Sequence, residues 1–595
     1  MTTEDLGNTY RKRVESYENA INYRTRVINY IALLRLITLV AIVYFLVKGI
    51  KSDQLIFYFV SFLMVISFFI LVSYYKFHTD KRDQLRQLKK LNITELGCLK
   101  YEFDNNPDGS EFIDRHHPWT YDLDIFGKGS FYQFINRTAT QKGKTILASS
   151  LSSSPDIVEQ IFERQEIIKD LKDRIDFRQV YTARANLIEE KETDFSEIQH
   201  WLDTQNYIQK NLWLIVVAIL SSLASLSIIV AGIIDFSNFR YFLPLLLLNW
   251  GILSPFLVRT NKYHSNISKK HDLLSGYASL LQTIGETPFN HSTLLCYQDN
   301  ATEGCDEVKK LSGMLNLFDQ RLNLFMGTVL NSLFLFDFFM LFFLERWKKK
   351  NRDNIEMWIE LTGWMEAMVS LSGFAYNHPN YTVPEIKVNS TEFIAEDMGH
   401  PLIDPSKRIA NNIQITNEKV LIITGANMAG KSTFLRSIGI NTLLGYLGCP
   451  VCAQKYSTGL WELYSSMRTS DSLKDEESYF LAEIRRLKEI VDVMEEGTPM
   501  LVLLDEVLKG TNTTDKQNGS IGLIEKSLKY NIQCFIATHD LVLGELETKH
   551  PQKVVNYCFE SHISDNDVNF SYKISRGIAK NMNASFLMKK MGIVD

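Results

Sequence analysis

Two stretches near the start of the chain lack any polar face. Ile31 to Val47 is apolar except for Arg35 and Thr38, and Leu55 to Tyr75 is apolar and aromatic without a charge. Crossing ~30 Å of hydrocarbon takes about 20 apolar residues in a helix, which the second stretch supplies and the first supplies with its flanks. The connection from Lys48 to Gln54 is short, so the pattern predicts a hairpin with both outer ends on one side. Leu212 to Ile234 and Tyr241 to Val258 repeat the arrangement around a tight connection, Asp235 to Arg240. The alternative reading for either pair is buried helices of a soluble core, with more weight for the second, which Pro244, Asn249 and Pro255 interrupt.

Charge orients these hairpins. Arg11, Lys12, Arg13, Arg24 and Arg26 precede the first run, Lys76, Lys81, Arg82, Arg86, Lys89 and Lys90 follow the second, and Arg259, Lys262, Lys269 and Lys270 follow the fourth. The positive-inside rule puts all of them in the cytoplasm, and the predicted location is a plasma or inner membrane crossed several times. The first run starts late, lacks a small-residue cleavage site and is followed at once by another, unlike a cleaved signal peptide. A fifth apolar stretch, Leu322 to Leu344, carries Gly327, Thr328, Asn331 and Ser332 on one helical face and is broken by Asp337. One further crossing would put the rest of the chain outside the cell. That rest holds a nucleotide motif, so the stretch is expected to be a buried helix of the soluble body.

Elsewhere residues 76–211 are polar and helical, Lys269 to Tyr376 is again helical, and from Val383 the chain turns to short β-rich runs with glycine turns. Pro379 and Pro384 punctuate the change at His378 to Pro384. The expected domains are a cytoplasmic segment 1–30, hairpin 31–75, core and lever 76–211, hairpin 212–258, helical lever 259–382 and a C-terminal domain 383–595. Over 595 residues the net charge is −5, so no global basic field draws the chain to nucleic acid. The local basic clusters fit topology anchors and anionic lipid.

The strongest chemical signal follows Val420-Leu421-Ile422-Ile423, an apolar run suited to a buried strand. It leads into Thr424, Gly425, Ala426, Asn427, Met428, Ala429, Gly430, Lys431, Ser432 and Thr433, then into the helical Phe434 to Leu447. This G-x-x-x-x-G-K-S between strand and helix lets backbone N–H groups turn inward around phosphates. Lys431 is placed for the β and γ oxygens, and Ser432 for Mg²⁺. Met500 to Leu504 is a second buried run ending in Asp505, suited to hold Mg²⁺ through water, and Glu506, suited to orient or deprotonate the attacking water. A third run, Gln533 to Ala537, ends in Thr538-His539-Asp540, placing His539 to sense the γ-phosphate or the water. The predicted reaction is hydrolysis of ATP to ADP and phosphate, with ATP and Mg²⁺ as ligands.

TGANMAGKST, the segment Glu477 to Glu483, LLDEVLKGT and Thr538-His539 resemble, in that order, the ATPase domain of the MutS family of mismatch-repair ATPases. Phe570 to Ala579 is similar to that family's closing strand and turn. Asp122 to Gly127, Asn136 to Gly143 and Arg164-Gln165 look like its core and lever. The resemblance covers most of residues 119–211 and 265–595. It implies an α/β ABC-type P-loop ATPase domain at the C-terminus, preceded by a mostly α-helical core and lever domain that here carries two transmembrane hairpins. It further implies a homodimer with composite ATP sites, in which Ser478 of one subunit reaches the other's γ-phosphate, and Asn427 near the nucleotide. Ala426 and Ala429 stand where the family has proline and glycine. Gly425, Gly430, Lys431 and Ser432 are intact, so hydrolysis is expected.

Other departures bear on purpose. The Phe-x-Glu strings, Phe195-Ser196-Glu197 and Phe343-Leu344-Glu345, fall in helical body segments, so no mismatch wedge is expected. The second hairpin lies where relatives insert a DNA clamp, and little chain follows the ATPase fold for a helix-turn-helix tail. The leading reading is a membrane-anchored ATPase whose dimer closure moves a lever and, through it, the hairpins in the lipid bilayer. The alternatives are a membrane-tethered DNA-binding ATPase of repair or recombination, and a transporter, for which the hairpins carry few polar residues. Two weaker signals read as structural. Cys449-Pro450-Val451-Cys452 is a C-x-x-C without a second pair or nearby histidine, and the seven scattered cysteines fit reduced thiols. Asp122 and Asp124 read as turn and capping residues.

Overall fold

The computed structural model describes residues 2–155, 157–208, 213–267, 270–388, 390–468, 479–564 and 567–580. Helix α1 (Thr3–Ser52) begins with a capping box between Thr2 and Asp5, and Asp53, left-handed at φ 49°, turns the chain into α2 (Leu55–Cys98). At about 1.5 Å per residue, a helix of 50 residues is about 75 Å long, well beyond what a bilayer needs. The apolar runs predicted from sequence are therefore one end of a longer antiparallel pair. Leu36, Val40, Phe59, Phe62 and Phe69 face outward there. Arg35, the charge that interrupts the first run, lies over the rings of Tyr75 at 4.9 Å and Phe68 at 5.6 Å. The opposite end is polar and docks on the helical body, where Asn92 and Gln179 exchange amide hydrogen bonds and Arg13 pairs with Asp176, while Lys89 and Glu18 pair α2 with α1.

Helices α3 (Trp213–Ile234) and α4 (Phe242–Ile267, with Pro255 inside) form the second pair. Among the described residues four helical stretches are long and apolar enough to cross a membrane: Thr3–Ser52, Leu55–Cys98, Trp213–Ile234 and Phe236–Val258. The stretch expected to be a single buried helix, Leu322 to Leu344, is instead two elements, α5 (Leu324–Phe334) and α6 (Phe336–Asn377), bent by 82°. Leu335 takes a left-handed conformation at φ 50°. The N–H of Asp337 bonds to Asn331 Oδ1, and the Asp337 carboxylate receives Nε and Nη2 of Arg321. The buried ion pair explains why the apolar run contains an aspartate: it fixes the corner. The first half of the stretch is also exposed, while the second is core.

Helix α6 is the spine of the body. The Asn136 to Gly143 motif folds against it: Thr140 caps the helix Gln141–Leu151, and the buried Glu366 of α6 accepts hydrogen bonds from the Ala139 and Thr140 N–H groups at 2.6 and 3.1 Å. Burial pushes the Glu366 carboxyl up to about 7. One apolar core runs without a break from Trp119 and Phe131 through Trp358 and Phe374 to Phe393, Ile438 and Phe535. Packing is thus continuous across the chain punctuation at 378–384.

Beyond that point strands β1 (Glu385–Lys387), β2 (Phe393–Met398), β3 (Asn411–Ile415), β4 (Val420–Gly425), β5 (Lys455–Gly459), β6 (Glu462–Ser466), β7 (Met500–Asp505), β8 (Ile532–Thr538), β9 (Val554–Ser564) and β10 (Asp567–Arg576) build two sheets. The smaller has the order β1-β5-β2-β3; the larger is β10-β9-β4-β8-β7-β6, parallel except for β10. Every residue of β4 and β8 is buried, as a parallel sheet covered on both faces requires, which is why these strands read as unbroken apolar runs. Helices α7 (Lys431–Tyr446), α8 (Tyr479–Glu496) and α9 (Thr513–Ser527) belong to this domain.

Candidate functional site

Strands β4, β7 and β8 are neighbours in the sheet and end on the same edge, bringing together the three sequence-predicted strand ends. At the end of β4, Gly425 lies against Phe559, whose carbonyl oxygen would be 2.9 Å from a Cβ at this position. Gly430, at φ 108°, opens α7 and faces Tyr572 so closely that a Cβ would be 3.2 Å from its ring. Gly425 is therefore required by space as well as conformation, and Gly430 by its left-handed conformation. Ala426 and Ala429 are buried on the inner side of the loop, while Asn427 and Met428 are exposed, Met428 at φ 67°.

Lys431 folds back over its own loop and donates to the carbonyl oxygens of Gly425 at 2.8 Å and Ala426 at 3.1 Å. Burial lowers its pKa, and the neighbouring Glu506 and Asp505 charges oppose that shift. Glu506, left-handed at φ 51°, is fixed by its N–H to Ala537 O at 2.8 Å. Its carboxylate is 3.9 Å from Lys431 Nζ, 3.6 Å from Lys509 Nζ and 3.6 Å from His539 Nδ1. Burial acts to raise the Glu506 pKa, but Lys509, Lys431, His539 and Lys516 together outweigh it and hold the carboxyl below its usual range.

These residues open on a cavity of about 510 Å³ lined by Ala426, Asn427, Met428, Gly430, Lys431, Ser432, Thr433, Asp505 and Glu506. Gly425 and Ala429 shape the loop from behind. His539 touches the cavity through Glu506 and has a 48% exposed side chain. Ser478 lies outside the described residues.

Sequence reasoning missed further lining residues: His400, Arg408 and Ile409 from the β2–β3 connection, Asn411 at the start of β3, and Tyr572 from a bulge in β10. Asn411 ties the two elements together, donating to Tyr572 O at 3.1 Å and accepting from Ile574 N at 2.8 Å. Burial, aided by the Arg436 and Arg408 charges, pushes the His400 imidazole down to about 4, so it is neutral at pH 7. The available signal was Gly399-His400-Pro401, a turn sequence between two short strands. A second omission is Glu483 on α8. It is buried, and its carboxylate accepts from the N–H groups of Leu508 and Lys509, holding the loop that follows Glu506.

Asp122 and Asp124, expected to shape and cap a turn, reach across to the sheet domain instead. The buried Asp122 carboxylate accepts from Ser465 Oγ at 2.7 Å, Met467 N at 3.1 Å and Arg468 N at 2.8 Å, at and just beyond the end of β6. Asp124 pairs with Arg468 at 2.8 Å and with Arg436 of α7 at 3.4 Å. Both therefore dock the core region on the sheet domain. Cys449 and Cys452 are buried free thiols whose pKa burial raises. Among the described residues no group of three His, Cys, Asp or Glu side chains is placed to hold a metal.

Residues 421–590 match the family model for MutS domain V. The chain is similar to the DNA mismatch repair protein MutS of Thermotoga maritima, 31% identical over 246 residues that make up 40% of this chain and 30% of that protein. It is also similar to the DNA mismatch repair protein MSH3 of Candida albicans, 30% identical over 36% of this chain and 22% of that protein. A third relative is the MutS of Clostridium kluyveri, 32% identical over 36% and 25%. The likeness thus spans less than a third of these relatives' length. Residues 421–590 are thus a MutS domain V, and it is over this C-terminal part that the chain is similar to the MutS family.

Proposed function

We propose that the protein is a membrane-anchored, Mg²⁺-dependent ATPase, working as a homodimer with composite sites, in which nucleotide-driven closure moves α6 and, through it, the two apolar hairpins. The fit of the site to ATP rests on the loop, the cavity and the donor set. The N-terminus of α7 and Lys431 take phosphate charge, and Ser432 with Asp505 offers the hard oxygen ligands that Mg²⁺ prefers. Mg²⁺, when bound, supplies neutralisation of phosphate charge. Glu506, ionised and aimed into the cavity, orients or deprotonates water, and His539 holds the side of the carboxylate away from Lys509.

The observation that carries the coupling is the position of α6. Its last residue, Asn377, accepts from Tyr10 OH of α1 at 2.7 Å and donates to Glu95 of α2 at 2.7 Å, with Arg137 on the same carboxylate at 2.6 Å. Its first turns meet the second hairpin through Phe338 on Phe256, ring centroids 5.3 Å apart. One helix thus touches both hairpins and leads directly into the sheet domain. Under this reading the body lies in the cytoplasm, on the side the basic clusters favour.

The test replaces 212–258 with a short soluble linker and follows ATPase activity of the full chain in lipid nanodiscs. ATP binding is expected to survive while the rate loses its dependence on lipid, and duplex or mismatched DNA is expected to change neither form. Stimulation of the intact protein by mismatched DNA would replace this reading with a membrane-tethered DNA-binding ATPase.

A further inference from the structure

Helix α5 has no charged side chain, yet much of its surface is open: Phe325 is 75% exposed and Met326 44%, next to Leu322 at 62%. Two of its polar groups, Asn331 and Ser332, are buried on the other side. Asn249, fully buried near the middle of the apolar stretch Phe236–Val258, donates to Ser332 O at 2.7 Å and to Ser225 Oγ of α3 at 3.2 Å, and Trp250 Nε1 donates to Ser332 Oγ at 2.9 Å. Ser221 of α3 donates to Asn249 Oδ1. Such polar side chains between helices act as glue where no water can substitute for them. They seat the C-terminal part of α5 on the middle of the second hairpin. The Arg321–Asp337 pair closes the corner nearer the end of α4, where Arg321 also donates to Asn261 at 2.9 Å.

We infer that α5 is a third membrane element, a short helix lodged against α3 and α4 within the bilayer without crossing it, whose open apolar face contacts lipid hydrocarbon. This inference rests on the reading that α3 and α4 span the membrane. The occupant follows from continuity: the exposed faces of α3 and α4 beside α5 carry the same uncharged, aliphatic and aromatic chemistry, for example Ile219, Leu223 and Leu247. A non-crossing element also leaves the sheet domain on the same side as the outer ends of both hairpins. The 82° corner then makes α5 the foot by which α6 stands in the membrane.

The test uses the full chain with Cys296→Ser, which removes the exposed native thiol, in nanodiscs of phosphatidylethanolamine and phosphatidylglycerol. A nitroxide is attached at Phe325→Cys, at Met326→Cys as a second reporter, at Ile219→Cys as the hairpin control and at Glu303→Cys as the water-facing control. The ratio of collision with oxygen to collision with a water-soluble nickel chelate is expected to be of the same order at Phe325 as at Ile219, and well above that at Glu303. A lipid-like Ile219 with a water-like Phe325 and Met326 overturns the inference and leaves the hairpin reading intact. Positions 325 and 326 shielded from both reagents overturn it too, since the face then lies against protein. A water-like Ile219 overturns the hairpin reading and this inference with it.

Discussion

Replacing Glu506 by glutamine keeps the shape of the side chain and removes its charge. In the native site the carboxylate stands 3.9 Å from Lys431 Nζ and 3.6 Å from Lys509 Nζ. At an effective dielectric of about 20, a unit-charge pair at the longer distance interacts by about 4 kcal/mol, and the Lys509 contribution is smaller because solvent reaches it. These cations outweigh the burial that acts to raise the Glu506 pKa, so the folded value lies below the ordinary 4.5. Glu506 is therefore ionised throughout the neutral range, and any loss of rate through its protonation appears only as pH falls below about 4.5. A positioned carboxylate acting on water contributes about 10²- to 10⁴-fold, or about 2.7 to 5.4 kcal/mol of barrier. The Lys431 contacts to Gly425 and Ala426 do not involve Glu506, so the loop and Lys431 are expected to keep their arrangement. Phosphate release under saturating Mg-ATP should fall by about two to four orders of magnitude in Glu506→Gln, while equilibrium binding of a fluorescent ATP analogue persists and that of Lys431→Ala is lost. Equal phosphate release by wild type and Glu506→Gln would refute the assigned role, as would loss of analogue binding in the glutamine variant.

Mixing Lys431→Ala with Ser478→Ala subunits should partly restore ATPase activity, because a composite dimer then holds one site with both lesions and one with neither; no recovery in proven heterodimers would defeat the sandwich. Glu483→Ala removes a buried acceptor from the Leu508 and Lys509 N–H groups, worth about 1.5 to 3 kcal/mol for a charged partner. It should lower kcat while leaving analogue affinity unchanged, with partial rescue by Glu483→Gln; a pure affinity loss would argue against a positioning role. Glu95, largely buried, has its pKa raised by burial but lowered more by Arg137 and Asn377, so the net shift is downward. A depressed folded pKa stabilises the protein above the unfolded value and loses that contribution as pH falls through the folded one. Glu95→Gln, which leaves Arg137 without its counter-charge, should cost about 3 to 5 kcal/mol near pH 7 and less at pH 3, measured by thermal unfolding in nanodiscs; a penalty independent of pH would contradict the ion-pair account.

Local sequence determined the nucleotide loop and the hairpins. Gly425 to Thr433 must follow a buried strand and open a helix for its N–H groups to converge, and all of that lies within about twenty residues of chain. Long, largely apolar runs announced the four helices, since about 20 apolar residues in a helix are what crossing a bilayer takes. Chain separation marks what was not legible. Asp122 meets Met467 and Arg468 across more than three hundred residues, Tyr10 meets Asn377, and Tyr572 faces Gly430 through a bulge that no periodicity announces. The corner at Leu335 was hidden for a related reason: Leu322 to Leu344 is apolar on both sides of it, and the break is imposed by Arg321 and Asn331 closing on Asp337. Hydropathy reports how much apolar surface a segment must cover, and tertiary hydrogen bonds and ion pairs decide where the segment turns and what covers it.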